Sequence, residues 1–150
     1  MTRVLVLNGP NLGTLGSRET GIYGRESLAG IEARIRERAS TLGVEVRCEQ
    51  SNHEGALVDL LEEERDRADA CIINPGGLSH TSVALADAIR AFGKPVVEVH
   101  ISNIHAREAF RRVAISAEAA TGVIAGLGSE GYLLALDGIL AIMERMETPG

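Results

Sequence analysis

The sequence predicts a three-layer α/β fold, a five-stranded parallel sheet with helices on both faces. Three observations carry this. Short β-branched runs alternate five times with segments of helical apolar spacing. The central runs are continuously apolar, as strands buried on both faces must be. Glycine, serine or asparagine stands at nearly every junction.

The elements follow in order. Val4 to Leu7 reads as a buried strand ending at Asn8. A glycine-rich segment from Gly9 to Gly24 has no periodicity. Ser27 then reads as an N-cap, with Leu28, Ile31, Ile35, Ala39 and Leu42 on one face and Gly43 closing the helix. Val44, Val46 and Cys48 alternate with charged residues, the pattern of a half-buried edge strand. A helix from about Glu54 to Asp66 leads to a third strand, Ala70 to Ile73, ending at Asn74. Another helix, near Thr81 to Phe92, is stopped by Gly93. The fourth strand, Pro95 to Val99, ends at His100, and a short irregular helix is expected around Ala106 to Arg111. Gly122 to Ala125 is the fifth strand, and Ser129 is expected to cap a last helix with Tyr132, Leu133, Leu136, Ile139, Leu140 and Met143 inward. Right-handed crossovers leave few topologies, and the flavodoxin-like order 2-1-3-4-5 fits best, with its ligand crevice between strands 1 and 3. Residues 1–150 read as one domain, with a lid loop at about 12–24.

Composition removes several function classes. The net charge of −6, the absence of a basic stripe and an aromatic content of 3% argue against a nucleic-acid or membrane-surface partner. No apolar run approaches the ~18 residues that span a bilayer, and a signal peptide is not apparent. Cys48 and Cys71 read as core residues of a reducing, cytoplasmic compartment. The histidines and cysteines show no metal-ligand spacing, and neither a Gly-x-Ser-x-Gly elbow nor a Walker A loop is present. Lys94 is the only lysine and sits at a strand start, so a Schiff base has no credible nucleophile. The expectation is acid–base chemistry without cofactor or metal.

Polar residues collect at the carboxyl ends of adjacent strands: Asn8 and Asn11 after the first, Asn74 after the third, His100 and Ser102 after the fourth. With the long first loop, which carries Arg18 and Tyr23, they converge on one crevice. Glycines at both ends of that loop suit a lid. Taken singly these residues admit plainer roles. Asn8 reads best as satisfying backbone at a strand end, and His80 as either a helix-start residue or a crevice residue. His53 and His105 read as lying outside the site. Arg34, Arg36 and Arg38, with Glu32 and Glu37, read as a solvated helix face.

The segments Leu7–Leu12, Tyr23-Gly24, Gln50–Gly55, Ile73–Gly76, His80–Leu85, Glu98–Asn103, His105–Glu108 and Gly126–Gly128 with Gly131-Tyr132 resemble the type II 3-dehydroquinate dehydratases. The resemblance runs from the first strand to the last helix. It implies trans elimination of water from 3-dehydroquinate through an enolate, giving 3-dehydroshikimate in the shikimate pathway. By motif position it makes Tyr23 the base at C2 and His100 the general acid for the C1 hydroxyl. Glu98 would orient His100, and Asn11 would stabilise the enolate oxygen. A phenol ionises near pH 10, so bringing it to about 7 takes ~4 kcal/mol of preference for the phenolate. Arg18 and Arg107 are the matching cations. Asn74 and the backbone of Ile101 and Ser102 would hold the substrate carboxylate, with His80 and Arg111 on its hydroxyls. Asp87 would reach the site of a neighbouring subunit in a homo-oligomer, the family's trimer-based dodecamer. Departures from the family pattern fall at Thr14, Thr20, Leu78, Ser79 and residues 112–116. A non-catalytic flavodoxin-like binding module and an interaction protein assembling through helices remain open as other readings.

Overall fold

The computed structural model describes residues 1–17 and 19–148. Its sheet has five parallel strands, β1 (Arg3–Asn8), β2 (Glu45–Gln50), β3 (Ala70–Asn74), β4 (Val96–His100) and β5 (Gly122–Ala125), in the order β2-β1-β3-β4-β5. The expected topology is therefore present, with β2 at one edge. The helices are α1 (Thr20–Tyr23), α2 (Leu28–Leu42), α3 (Glu54–Glu64), α4 (Val83–Phe92), α5 (Ile115–Ala119) and α6 (Glu130–Glu147).

Side-chain alternation along each strand divides the core into two layers. Val4 and Val6, Ala70 and Ile72, and Val97 and Val99 face Ile31 and Ile35 of α2 and Leu136 and Ile139 of α6. Leu5, Leu7, Cys71, Ile73 and Val96 face Leu57 and Leu61 of α3 and Leu85, Ile89 and Phe92 of α4. Burial of each larger side chain contributes roughly 1.5–3 kcal/mol. It also pushes the Cys48 thiol up to about 11 and that of Cys71 further up, so neither is a thiolate at neutral pH.

Local chemistry sets most boundaries. Ser27 Oγ accepts from Gly30 N at the start of α2, and Gly43 ends that helix at φ 70°. Ser82 Oγ does the same for Leu85 N, so α4 begins at Val83 rather than near Thr81. The irregular helix resolves into two 3₁₀ turns, Ile104–Ala106 and Ala109–Arg112. They are followed by α5, which the sequence reading did not anticipate. Ser129 occupies the N-cap position of α6 but caps nothing: its hydroxyl donates to Glu26 Oε1 at 2.7 Å and accepts from Arg34 Nη1 at 2.7 Å.

The arginines of α2 correct a second expectation. Arg36 pairs with Glu32 on the helix surface, as expected of a solvated face. Arg34 instead reaches Glu26 and Glu130, and Arg38 bonds Asp137 at 2.6 Å, tying α2 to α6. On the opposite face of the sheet, Glu64 is fully buried between Arg3 Nε at 3.0 Å and Arg47 Nη1 at 2.8 Å. Burial raises the Glu64 pKa, but the two arginines outweigh it and hold the carboxyl below its ordinary range.

A carboxyl lowered by folding contributes stability that is full above its unfolded pKa and is lost as pH falls through the folded one. Glu64→Gln should therefore destabilise the protein by about 2–3 kcal/mol at pH 7, the low side for a broken buried pair because both arginines are partly exposed. The deficit should shrink below about pH 4.5. Urea unfolding across pH 3–7 measures both effects.

Candidate active site

The crevice opens where the carboxyl ends of β1, β3 and β4 meet. Two glycines fix its floor. A Cβ on Gly9 would stand 2.5 Å from Pro75 O, and one on Gly76, at φ 60°, would stand 2.9 Å from Pro10 O. The loops leaving β1 and β3 thus touch through backbone alone, which only glycine permits. Gln50 Nε2 donates to Gly9 O at 3.2 Å, and Asn52 Oδ1 accepts from Asn11 N at 3.0 Å. The polar run after β2 therefore clamps the loop after β1. Asn11 sits at φ 70°, a left-handed conformation that asparagine tolerates. Glu54, at the start of α3, accepts from Ser82 Oγ at 2.6 Å and links the starts of α3 and α4.

The resulting cavity of about 250 Å³ is lined by Asn11, Tyr23, Asn74, His80, His100, Ile101, Ser102, Arg107 and Arg111, among others. The structure thus brings together nine of the residues singled out from the sequence. Glu98 lies fully buried beneath His100. Asp87 is not among the lining residues; it is exposed on α4, 3.6 Å from Arg90. Arg18, expected as a cation beside Tyr23, lies outside the described residues. Glu19 and Glu108 also line the cavity, which the sequence reading missed.

Two buried hydrogen-bond systems support the site, one on each face of the sheet. On the α3–α4 side, His100 Nε2 lies 2.7 Å from Glu98 Oε2, which also accepts from Ser79 Oγ at 2.9 Å. Ser116 Oγ bonds the other carboxylate oxygen, Oε1. His80 stacks on His100 with ring centroids 6.3 Å apart, and its Nδ1 lies 2.7 Å from Val113 O. On the α2–α6 side, Asn74 Nδ2 donates to Tyr132 Oη at 2.9 Å, and Tyr132 Oη donates to Asn8 Oδ1 at 2.5 Å. Asn74 Oδ1 accepts from Gly76 N at 3.1 Å, so both ends of its amide are fixed. The expectation that the Asn8 side chain satisfies loop backbone is therefore not met: its oxygen takes the Tyr132 hydroxyl, and through it is linked to Asn74. Burial keeps the Tyr132 phenol protonated by raising its pKa, so it acts here as a neutral bridge.

At the crevice wall, Arg107 Nη1 donates to Tyr23 Oη at 2.8 Å and lies 3.2 Å from Ser102 Oγ. Its guanidinium carbon stands 5.2 Å from the Tyr23 ring centre. A phenol oxygen on a permanent cation, facing a carboxylate-backed imidazole across one cavity, is an arrangement for moving protons at two points of a bound molecule. Lys94 is remote from it: at the other end of the sheet, its Nζ donates to Arg65 O and Ala68 O. Among the described residues, no group of three or more histidine, cysteine or carboxylate side chains could hold a metal ion.

Fold and site together define an α/β protein with an acid–base crevice at the carboxyl end of a parallel sheet. A sequence model described as dehydroquinase class II matches residues 2–140. The chain is 54% identical over 143 residues to a 3-dehydroquinate dehydratase of Desulforudis audaxviator (strain MP104C), covering 95% of each. It is 55% identical to one of Chelativorans sp. (strain BNC1), covering 92% of this chain and 96% of the relative. The crystal structure of a type II dehydroquinase from Butyrivibrio crossotus DSM 2876 superposes with a TM-score of 0.91 at 40% identity, covering 93% of this chain and 97% of that one. The corresponding protein of Propionibacterium acnes gives 0.90 at 42%, covering 94% and 97%. This chain belongs to the class II dehydroquinase family.

Tyr132→Phe keeps the ring but leaves Asn8 and Asn74 without their shared partner. It should lower unfolding stability by about 1–3 kcal/mol, measured by urea denaturation.

Proposed function

We propose that the protein catalyses the trans dehydration of 3-dehydroquinate to 3-dehydroshikimate in the shikimate pathway, through an enolate and without a Schiff base. The observation that carries this is the Arg107–Tyr23 contact set across the crevice from the Glu98–His100 pair. Family membership supports the substrate.

In this reading the Tyr23 oxygen removes the proton at C2, beside the ketone. Arg107 donates to the oxygen that carries the charge beforehand, and Arg18 is the second cation. The electrons move to the ketone oxygen, where Asn11, directly or through water, donates to the enolate. The enolate then expels the C1 hydroxyl as His100 protonates it, and water leaves. Tyr23 holds the C2 proton and His100 has given one up, so a proton returns from Tyr23 to His100 through solvent before the next turnover. Asn74 has one amide hydrogen left beyond its bond to Tyr132, and with the backbone at Ile101 and Ser102 it binds the substrate carboxylate. His80 and Arg111, which line the same cavity, bind the substrate's hydroxyls. The loop at 12–24 closes over the substrate. Asp87, exposed and away from its own crevice, serves a neighbouring subunit's site in a dodecamer built from trimers. The enzyme works in the cytoplasm and uses neither metal nor cofactor.

The first test is turnover of 3-dehydroquinate by purified protein, followed by the ultraviolet absorbance of the conjugated enone, with and without borohydride. Turnover that survives borohydride is expected, and loss of activity on borohydride treatment would refute the imine-free route. Tyr23→Phe should lower kcat by at least roughly 100-fold, with substrate affinity by calorimetry little changed. Unchanged turnover would remove the base assignment.

A further inference from the structure

Ser79 and Ser116 are fully buried, and neither lines the cavity. Both converge on Glu98: Ser79 Oγ donates to Oε2 at 2.9 Å, and Ser116 Oγ bonds Oε1. The two hydroxyl oxygens lie 3.0 Å apart. Each hydroxyl has one proton, so placing both on the carboxylate leaves their mutual approach as a consequence of the shared acceptor. With His100 Nε2 at 2.7 Å as a further partner, both carboxyl oxygens of Glu98 are met by hydrogen-bonding groups.

We propose that Ser116 and Ser79 are positioning residues, which hold Glu98 ionised and fixed so that it takes Nε2–H of His100 and leaves Nδ1 as the ring nitrogen that serves substrate. The inference rests on His100 being the general acid. Hydroxyl donors spread the carboxylate charge and weaken its hold on the imidazolium proton, which makes His100 a readier donor. The proton on the Glu98–His100 pair belongs to both groups, so the serines tune the pair as a unit. Other groups also face His100: His80 stacked on it, Arg107, Glu108 and Arg111 from the turns after β4, and Glu19 and Tyr23 from the first loop. Substituting a serine leaves all of these in place, so its effect is read as a difference from the unsubstituted protein.

Removing one hydroxyl should raise the pH at which the pair loses its proton by about one pH unit, because a hydrogen bond to a charged group has gone. In Ser116→Ala the alkaline limb of the kcat profile should move up by that amount, with kcat lowered roughly tenfold and KM within about twofold, since Ser116 does not touch substrate. The His100 ring-nitrogen NMR titration should show the same upward displacement, and it does so whether or not the protein acts on 3-dehydroquinate. If the unsubstituted protein fails to turn over, the reaction reading falls while the NMR titration still tests the serines. Should Ser116→Ala not fold, Ser79→Ala carries the same expectation, and Ser79→Thr, which keeps the hydroxyl, should retain the original profile. An NMR midpoint that stays in place or moves down in the folded alanine variants overturns the proposal.

Discussion

Glu98 is a carboxylate in the middle of a buried strand, between Val97 and Val99, with no exposed surface. An ionised group taken out of water costs several kcal/mol unless donors surround it. Its donors come from three places: His100 on its own strand, Ser79 in the 3₁₀ turn Gly76–His80, and Ser116 in α5. Meeting that demand fixes the turn after β3 and the short helix before β5 relative to β4. α5 lies against both α4 and the Gly76–His80 turn. The irregular connection from β4 to β5 is thus tied at its far end to one buried carboxyl group.

The other half of the crevice is organised by strand alternation. Glu98 and His100 continue the row begun by Val96, on the α3–α4 face of the sheet. Asn8 and Asn74 stand opposite each other in register and continue the rows of Val6 and Ile72, on the α2–α6 face. Tyr132 comes up from α6 to bridge those two asparagines. At the crest of the sheet the separation of faces ends, and Asn74 and His100 line the same cavity. A polar residue one position earlier in either strand would point into the opposite core layer.

The order of strands, the placement of the crevice and most of its lining were legible because each rests on local pattern. Ser27 and Gly43 bracket a helix whatever surrounds them, and continuous apolar runs require burial on both faces. What could not be read depends on partners distant in sequence. A glutamate in an apolar strand announced a need for donors, yet Ser79 and Ser116 lie 19 and 18 residues away from it. Ser129 looked like a helix cap because its cross-link to Glu26 spans 103 residues. Arg34 and Arg38 looked solvated because Glu130 and Asp137 face them from α6. α5 was missed because five residues, three of them alanine or serine, carry no period. The inward hydroxyl of Tyr132 was a signal that went unused, since a buried tyrosine needs a hydrogen-bond partner.

The two proposed reacting groups are held in different ways. His100 ends a central strand, and its ring is set by a carboxylate that is itself clamped from two sides. Tyr23 belongs to the connection between β1 and α2; its ring packs against the α2–α6 core layer and its hydroxyl accepts from Arg107 Nη1. Arg107 in turn bonds Ser102, two residues beyond the end of β4. The oxygen proposed as the base is thereby linked to the end of the strand that carries His100, by way of one guanidinium. Arginine suits this place because one terminal nitrogen, Nη1, has two hydrogens for the phenol and the serine while the group keeps its charge. Arg107 and the end of β4 thus help to set the spacing between the two proposed groups.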